Sequence, residues 1–133
     1  VGIDFYFAEV AAGALAGSGP DLAGFKAVAA ETGAGGERLS LFLYALDGDN
    51  VRARMFAPLS GTYEDAATGS ASATLAALRL SLTEAADTRF EIVQGVEMGR
   101  PSKLRVSARR AADGVRASVG GGCVPVFRGE VSL

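Results

Sequence analysis

Residues 70–82, Ser-Ala-Ser-Ala-Thr-Leu-Ala-Ala-Leu-Arg-Leu-Ser-Leu, constrain the fold of this chain more than any other segment. Alanine and leucine favour a helix. Only Arg79 puts charge on that helix, and a helix that is small or apolar on every side is expected to be buried on every side. One domain's length, 133 residues, must therefore supply a wrapping for it. The wrapping reads as short strands. Residues 3–10 combine aromatic and β-branched side chains, residues 39–46 are nearly apolar on both faces, and residues 51–57 alternate dry and wet. Asp47-Gly48-Asp49-Asn50 between the last two is a hairpin turn. Residues 90–94, 103–108, 115–119, 124–127 and 130–133 read as further strands, punctuated by Gly114, Gly120, Gly121, Gly122 and Gly129. Pro20-Asp21-Leu22 opens a second, peripheral helix in which Leu22, Phe25, Val28 and Ala29 recur at helical spacing until Gly33. Gly13 to Gly19 reads as a small-residue loop, Gly35-Gly36 as a turn, and residues 58–69 as a loop. The expected fold class is α+β: a curled, antiparallel, barrel-like sheet around a central buried helix, in one domain without repeats.

Composition removes several kinds of chemistry. There is no histidine, so Ser-His-Asp triads, Cys-His dyads and histidine-based zinc sites are excluded, and no metal site is expected. One cysteine, Cys123, cannot form an intrachain disulfide; flanked by glycine and apolar residues, it reads as core rather than nucleophile. The net charge of −2 argues against nucleic acid and anionic membrane as partners. No run approaches the ~20 apolar residues of a membrane span. Residues 1–10 carry Asp4 and Glu9 and no basic residue, unlike a signal peptide. A cytoplasmic location is therefore expected. The chain opens on Val1 without methionine, which is expected of a processed terminus or of part of something longer. Gly35-Gly36 and residues 120–122 match no phosphate-loop pattern. Phe5, Phe7, Phe42 and Phe56 read as core. Arg105, Arg109, Arg110 and Arg116 read as the wet side of two strands.

The segment that carries chemistry is Arg54-Met55-Phe56-Ala57-Pro58, followed by Glu64-Asp65-Ala66-Ala67-Thr68-Gly69-Ser70-Ala71. It places two carboxylates in a loop that runs into the start of the central helix. Two uses compete. Thr68 or Ser70 caps the helix and Asp65 merely decorates it. Alternatively, the unpaired amides and hydroxyls of Thr68, Gly69 and Ser70, at the positive end of the helix dipole, receive a carboxylate or phosphate. Glu64 and Asp65 are neighbours in an extended loop and are expected to point apart. Glu64 reads as structural, with Arg100 as its candidate partner; Arg100 could instead reach a substrate acid by a bidentate contact.

The run Glu64 to Ala71 resembles the Glu-Asp-Pro-Ala-Thr-Gly-Ser-Ala signature of the phenazine-biosynthesis PhzF-like isomerases, with Ala66 where that family usually has proline. Residues 54–58 resemble what precedes that signature. Gln94-Gly95-Val96-Glu97-Met98-Gly99-Arg100-Pro101-Ser102 resembles the family's second block, and Val119-Gly120-Gly121 with Gly129 its C-terminal end. The resemblance covers nearly the whole chain but only about the second half of a typical member. It implies one lobe of a diaminopimelate-epimerase-like fold, with residues 1–133 as the C-terminal lobe and the N-terminal lobe absent from this chain.

The resemblance further implies an isomerase that uses no cofactor and shifts a proton within a small carboxylic acid metabolite of secondary metabolism. Fold relatives that racemise amino acids carry cysteine where Thr68 stands, and a threonine hydroxyl is too weak an acid for that two-base role. By resemblance Asp65 is the catalytic residue of this lobe, assisting proton transfer or orienting the acid. Gly69 and Ser70 hold the substrate carboxylate, Thr68 shapes the turn, and the main glutamate comes from the other lobe. The implied partner is a complementary N-terminal lobe, from the same gene or a separate subunit, or a homodimer copy. The competing expectations are a non-catalytic carboxylate-binding or self-assembling module derived from the same lobe, or a fragment of one longer chain.

Overall fold

The computed structural model describes residues 3–33 and 38–132. In chain order come β1 (Tyr6–Glu9), α1 (Ala12–Gly17), α2 (Leu22–Thr32), β2 (Leu41–Asp47), β3 (Asn50–Ala57), a 3-10 turn at Pro58–Ser60 and β4 (Thr62–Asp65). Then follow α3 (Gly69–Ser81), β5 (Asp87–Gln94), β6 (Ser102–Ala111) and β7 (Gly114–Gly121). The strands form one seven-stranded sheet in the order β1-β2-β3-β5-β6-β7, with β4 paired to β3. The proposed turn at Gly35-Gly36 lies outside the described residues.

The sheet is mixed and open, where an antiparallel, barrel-like one was expected. β1 runs parallel to β2, and β3 parallel to β5. Each parallel pair is joined by a helix-bearing connection, which brings the chain back in its starting direction. The remaining pairs are antiparallel. The β2–β3 hairpin turns at Gly48-Asp49 with Gly48 at φ 59°, as its sequence predicts.

Alternation along the strands sends side chains to two cores. Phe42, Val51, Ala53, Ile92 and Val106 meet Ala71, Leu75, Ala76 and Leu80 of α3 on one face. Phe25 of α2, Leu39 and Phe56 form a smaller cluster that Leu41 and Leu43 of β2 flank on the other. The two fully buried leucines of α3, Leu75 and Leu80, each contribute about 1.5–3 kcal/mol of transfer free energy. α3 is nonetheless buried on one side only: Leu78 is 37% exposed and Leu82, just past its end, 77%. The open sheet covers one flank of the helix and stops. Arg110 closes the α3 C-terminus by donating to the carbonyls of Leu80, Thr83 and Ala85.

Other local expectations are revised. The glycine-flanked segment at 12–17 is a helix anchored by buried Leu15. The loop at 58–69 contains β4, a short strand recruited by β3 through Met55↔Asp65 and Ala57↔Thr62. Residues 124–127 and 130–132 form no strand, and among the described residues no strand pairs with them; Leu133 lies outside the described residues. Cys123 sits in this segment and is exposed, not core. Phe42 and Phe56 are buried as expected, and Phe5 and Phe7 pack partly buried against the α3 core.

The layers are fastened by Arg54. Its Nε and Nη2 donate to Glu64 Oε1 and Oε2, both at 2.8 Å, as a bidentate pair. Its Nη1 donates to the carbonyls of Leu15, Ala16 and Ser18 at the end of α1. One guanidinium thus joins β3, β4 and the last turn of α1, while its face lies 4.9 Å from the Phe56 ring centroid. The bonds to Glu64 hold Arg54 above its ordinary range, against the opposing effect of burial. The partner of Glu64 is Arg54, not Arg100. Arg54→Met leaves a buried carboxylate alone and is expected to cost about 3–5 kcal/mol in chemical denaturation. Arg54→Met with Glu64→Met recovers much of that loss; equal losses in the single and double variants would contradict the pairing.

Candidate active site

β4 is extended, so its last two side chains part. Glu64 turns to Arg54, and Asp65 turns to the opposite side, towards the start of α3. The Asp65 carboxylate accepts from the Ala67 amide at 3.3 Å and from the Thr68 hydroxyl at 2.9 Å. Gln94, fully buried at the end of β5, locks this loop from below. Its Oε1 accepts from the Thr68 amide at 3.1 Å. Its Nε2 donates to the Asp65 carbonyl at 2.7 Å and to the Thr68 hydroxyl at 2.9 Å.

This network removes Thr68 as a cap of the helix start. Thr68 occupies the position before the first turn of α3, yet its side chain makes no capping bond. Its hydroxyl is committed to Asp65 and Gln94. The first-turn amides, those of Gly69 and Ser70 among them, are left with the unpaired donors that every uncapped helix presents. At Gly69 neither a positive φ nor crowding demands glycine, since a β-carbon there would meet only Val119, at 3.7 Å. Its bare backbone leaves the helix end open to approach.

The helix end faces a hollow of about 590 Å³. Asp65, Thr68 and Ser70 all line it. Arg38 and Ser40 enter from the chain leading into β2, and Phe5, Met55 and Leu59 give it an apolar wall. This combination of apolar wall and few converging polar groups suits a small organic anion. Of the residues singled out in the sequence, Asp65, Thr68, Gly69 and Ser70 are brought together. Glu64 is turned away, and Arg100 is exposed outside the lining of the hollow. Arg38 and Gln94 were not singled out. Arg38 had no local signal, because only the packing of the β1–β2 connection brings it here. Gln94 belongs to the second sequence block, whose pattern alone does not reveal that its amide is buried beneath Thr68. Among the described residues no three His, Cys, Asp or Glu side chains are grouped to hold a metal ion, and no helix is long and apolar enough to cross a membrane.

The residue after Gln94 is as constrained as Gln94 itself. Gly95 has φ 78°, and a β-carbon there would lie 2.5 Å from the Arg100 carbonyl oxygen and 2.9 Å from that of Ala66. The second sequence block is therefore the platform on which the Asp65–Thr68 loop rests. Gln94→Leu strands the buried Thr68 amide and the Asp65 carbonyl. Each costs about 1–3 kcal/mol, measurable as a lower denaturation midpoint; an unchanged midpoint would contradict the role given to Gln94.

Comparison with known proteins places the chain in a family. A family model described as phenazine biosynthesis-like protein (PhzC-PhzF) matches residues 24–129. The trans-2,3-dihydro-3-hydroxyanthranilate isomerase of Pseudomonas chlororaphis is 40% identical over 100 residues, covering 71% of this chain and 35% of that protein. The Pseudomonas aeruginosa protein of the same name is 42% identical over 80 residues, covering 59% of this chain and 29% of its own length. Among solved structures, a predicted epimerase from Pseudomonas aeruginosa superposes with a TM-score of 0.58 at 31% identity, covering 90% of this chain and 39% of that one. A PhzF-family protein of Bacillus anthracis shares the fold, with a TM-score of 0.52 at 18% identity over 63% of this chain and 31% of its own. The chain spans about a third of the length of the curated relatives it matches. It belongs to the phenazine biosynthesis-like protein family.

Proposed function

We propose that this chain is the C-terminal lobe of a two-lobed isomerase that moves a proton within a small unsaturated carboxylic acid without a cofactor. The observation that carries the reading is the uncapped start of α3 in the same hollow as Asp65. A substrate carboxylate accepts hydrogen bonds from the Gly69 and Ser70 amides and the Ser70 hydroxyl, where the helix dipole favours negative charge. That anchor fixes the carbon skeleton against the apolar wall and presents one polar edge to Asp65. Asp65, oriented by Thr68 and the Ala67 amide, holds the substrate or passes a proton. The main base, which takes a proton from one carbon so that it can be returned at another, comes from a complementary lobe. The named reaction of the Pseudomonas relatives supports an unsaturated acid as the substrate class.

The exposed apolar side chains support a partner surface. Val124, Val126, Phe127 and Val131 are 83%, 76%, 96% and 84% exposed within one short segment. Such a run is expected to be covered by protein.

The test is solvent deuterium uptake into candidate unsaturated acids, followed by mass spectrometry, with the chain joined to a complementary lobe. Uptake is expected, and Asp65→Asn is expected to slow it by about 10²-fold or more. Ser70→Ala is expected to raise KM by about tenfold, with a smaller effect on kcat. No uptake with a lobe that binds would overturn catalysis and leave a carboxylate-binding module.

A further inference from the structure

The outer face of β5–β7, opposite α3, is divided. Towards the end of β5 its charges are paired. Glu91 lies 3.4 Å from Lys103 and directly opposite Arg105, and Arg52 donates to Glu97 at 2.9 Å. At the other end the pattern changes. Asp87, Arg109 and Arg116 form one row across the three strands, and Arg89, Ser107 and Ser118 form the next. Arg109 and Arg116 are direct cross-strand neighbours, an arrangement that like charges disfavour. These six residues line a hollow of about 670 Å³. Ser107 and Ser118, cross-strand partners, are its small hydroxyl residues, and Arg89, Arg109 and Arg116 line it beside them.

The acids present do not neutralise this group. Asp87 stands opposite Arg109, and Asp113 pairs with Arg116 from outside the hollow. Among the described residues the Arg89 and Arg109 guanidinium groups and the Ser107 and Ser118 hydroxyls have no hydrogen-bond or ion-pair partner. The rim is net positive on a chain whose total charge is −2. Planar guanidinium forks around hydroxyl donors match an anion with several oxygens.

We propose that this hollow binds a phosphate group, with Arg89, Arg109 and Arg116 on its oxygens and Ser107 and Ser118 donating beside them. A bound dianion would offset the repulsion between Arg109 and Arg116, which Asp87, Asp113 and solvent screening relieve only in part. Nothing in the proposal requires the reaction assigned to the α3 hollow, and its failure would leave that assignment untouched.

The test is a titration of the protein at constant ionic strength, following the backbone amides of Ser107 and Ser118 by NMR. The titrants are inorganic phosphate, glycerol phosphate and chloride. Saturable shifts with phosphate but not chloride are expected. Tighter binding of glycerol phosphate than of phosphate would identify a phosphate monoester as the ligand; the reverse would identify the free ion. Arg89→Ala and Arg109→Ala should each weaken binding about tenfold. Arg105→Ala, on the same face outside the hollow, should not change it. Arg109→Lys keeps the charge without the fork and should fall between wild type and Arg109→Ala, with unchanged thermal unfolding showing that each variant is folded. Equal responses to phosphate and chloride, no saturation, or unchanged binding in Arg89→Ala and Arg109→Ala would overturn the proposal.

Discussion

Everything at the candidate site depends on where one hydroxyl hydrogen bonds. Threonine before a helix ordinarily folds back onto the first-turn amides. Here the Thr68 hydroxyl donates to Asp65 and accepts from Gln94 instead. The bonds that would have closed the helix are spent on holding the acidic loop, and the helix end stays open. Buried Gln94 makes this durable, because it satisfies the Thr68 amide and the Asp65 carbonyl at once. An unpaired group at either position would cost more than the capping bond that is forgone.

Around that point the fold works as a set of clamps. Arg54 ties β3 to β4 and to α1, and so fixes where Asp65 emerges. Gly95 lets the turn after β5 press against Ala66, so that the loop is held from beneath. α3 is held by its buried flank on β5, β6 and β7, which keeps its first turn at the rim of the hollow. The two sequence blocks that look separate in the chain are two sides of one hydrogen-bonded unit.

What was legible in the sequence was mostly local. The helix at 70–82, the Gly48-Asp49 turn and the parting of Glu64 from Asp65 follow from residue spacing and backbone alternation. The sheet order was not legible, because two parallel pairings arise from connections whose direction no short window records. α1 was hidden by its glycines, and its C-terminal carbonyls are satisfied by Arg54 from some forty residues away in sequence. The strands expected at 124–127 and 130–133 had the right propensity, but β-structure also needs a neighbour. Spacing alone points Glu64 towards Arg100, whereas the fold brings it to Arg54 of the preceding strand. At the site, Asp65, Thr68, Gly69 and Ser70 stood in one contiguous run and could be found together. Arg38 and Gln94 reach the same place only through tertiary structure.

The central claim is that the open first turn of α3 receives an organic carboxylate. The most direct measurement is an NMR titration of the isotope-labelled protein with a small unsaturated carboxylic acid, following individual backbone amides. The account predicts saturable shifts centred on Gly69 and Ser70, with the largest change at the amides themselves. A titration in which those two amides stay fixed while the acid binds elsewhere, or does not bind, would contradict it.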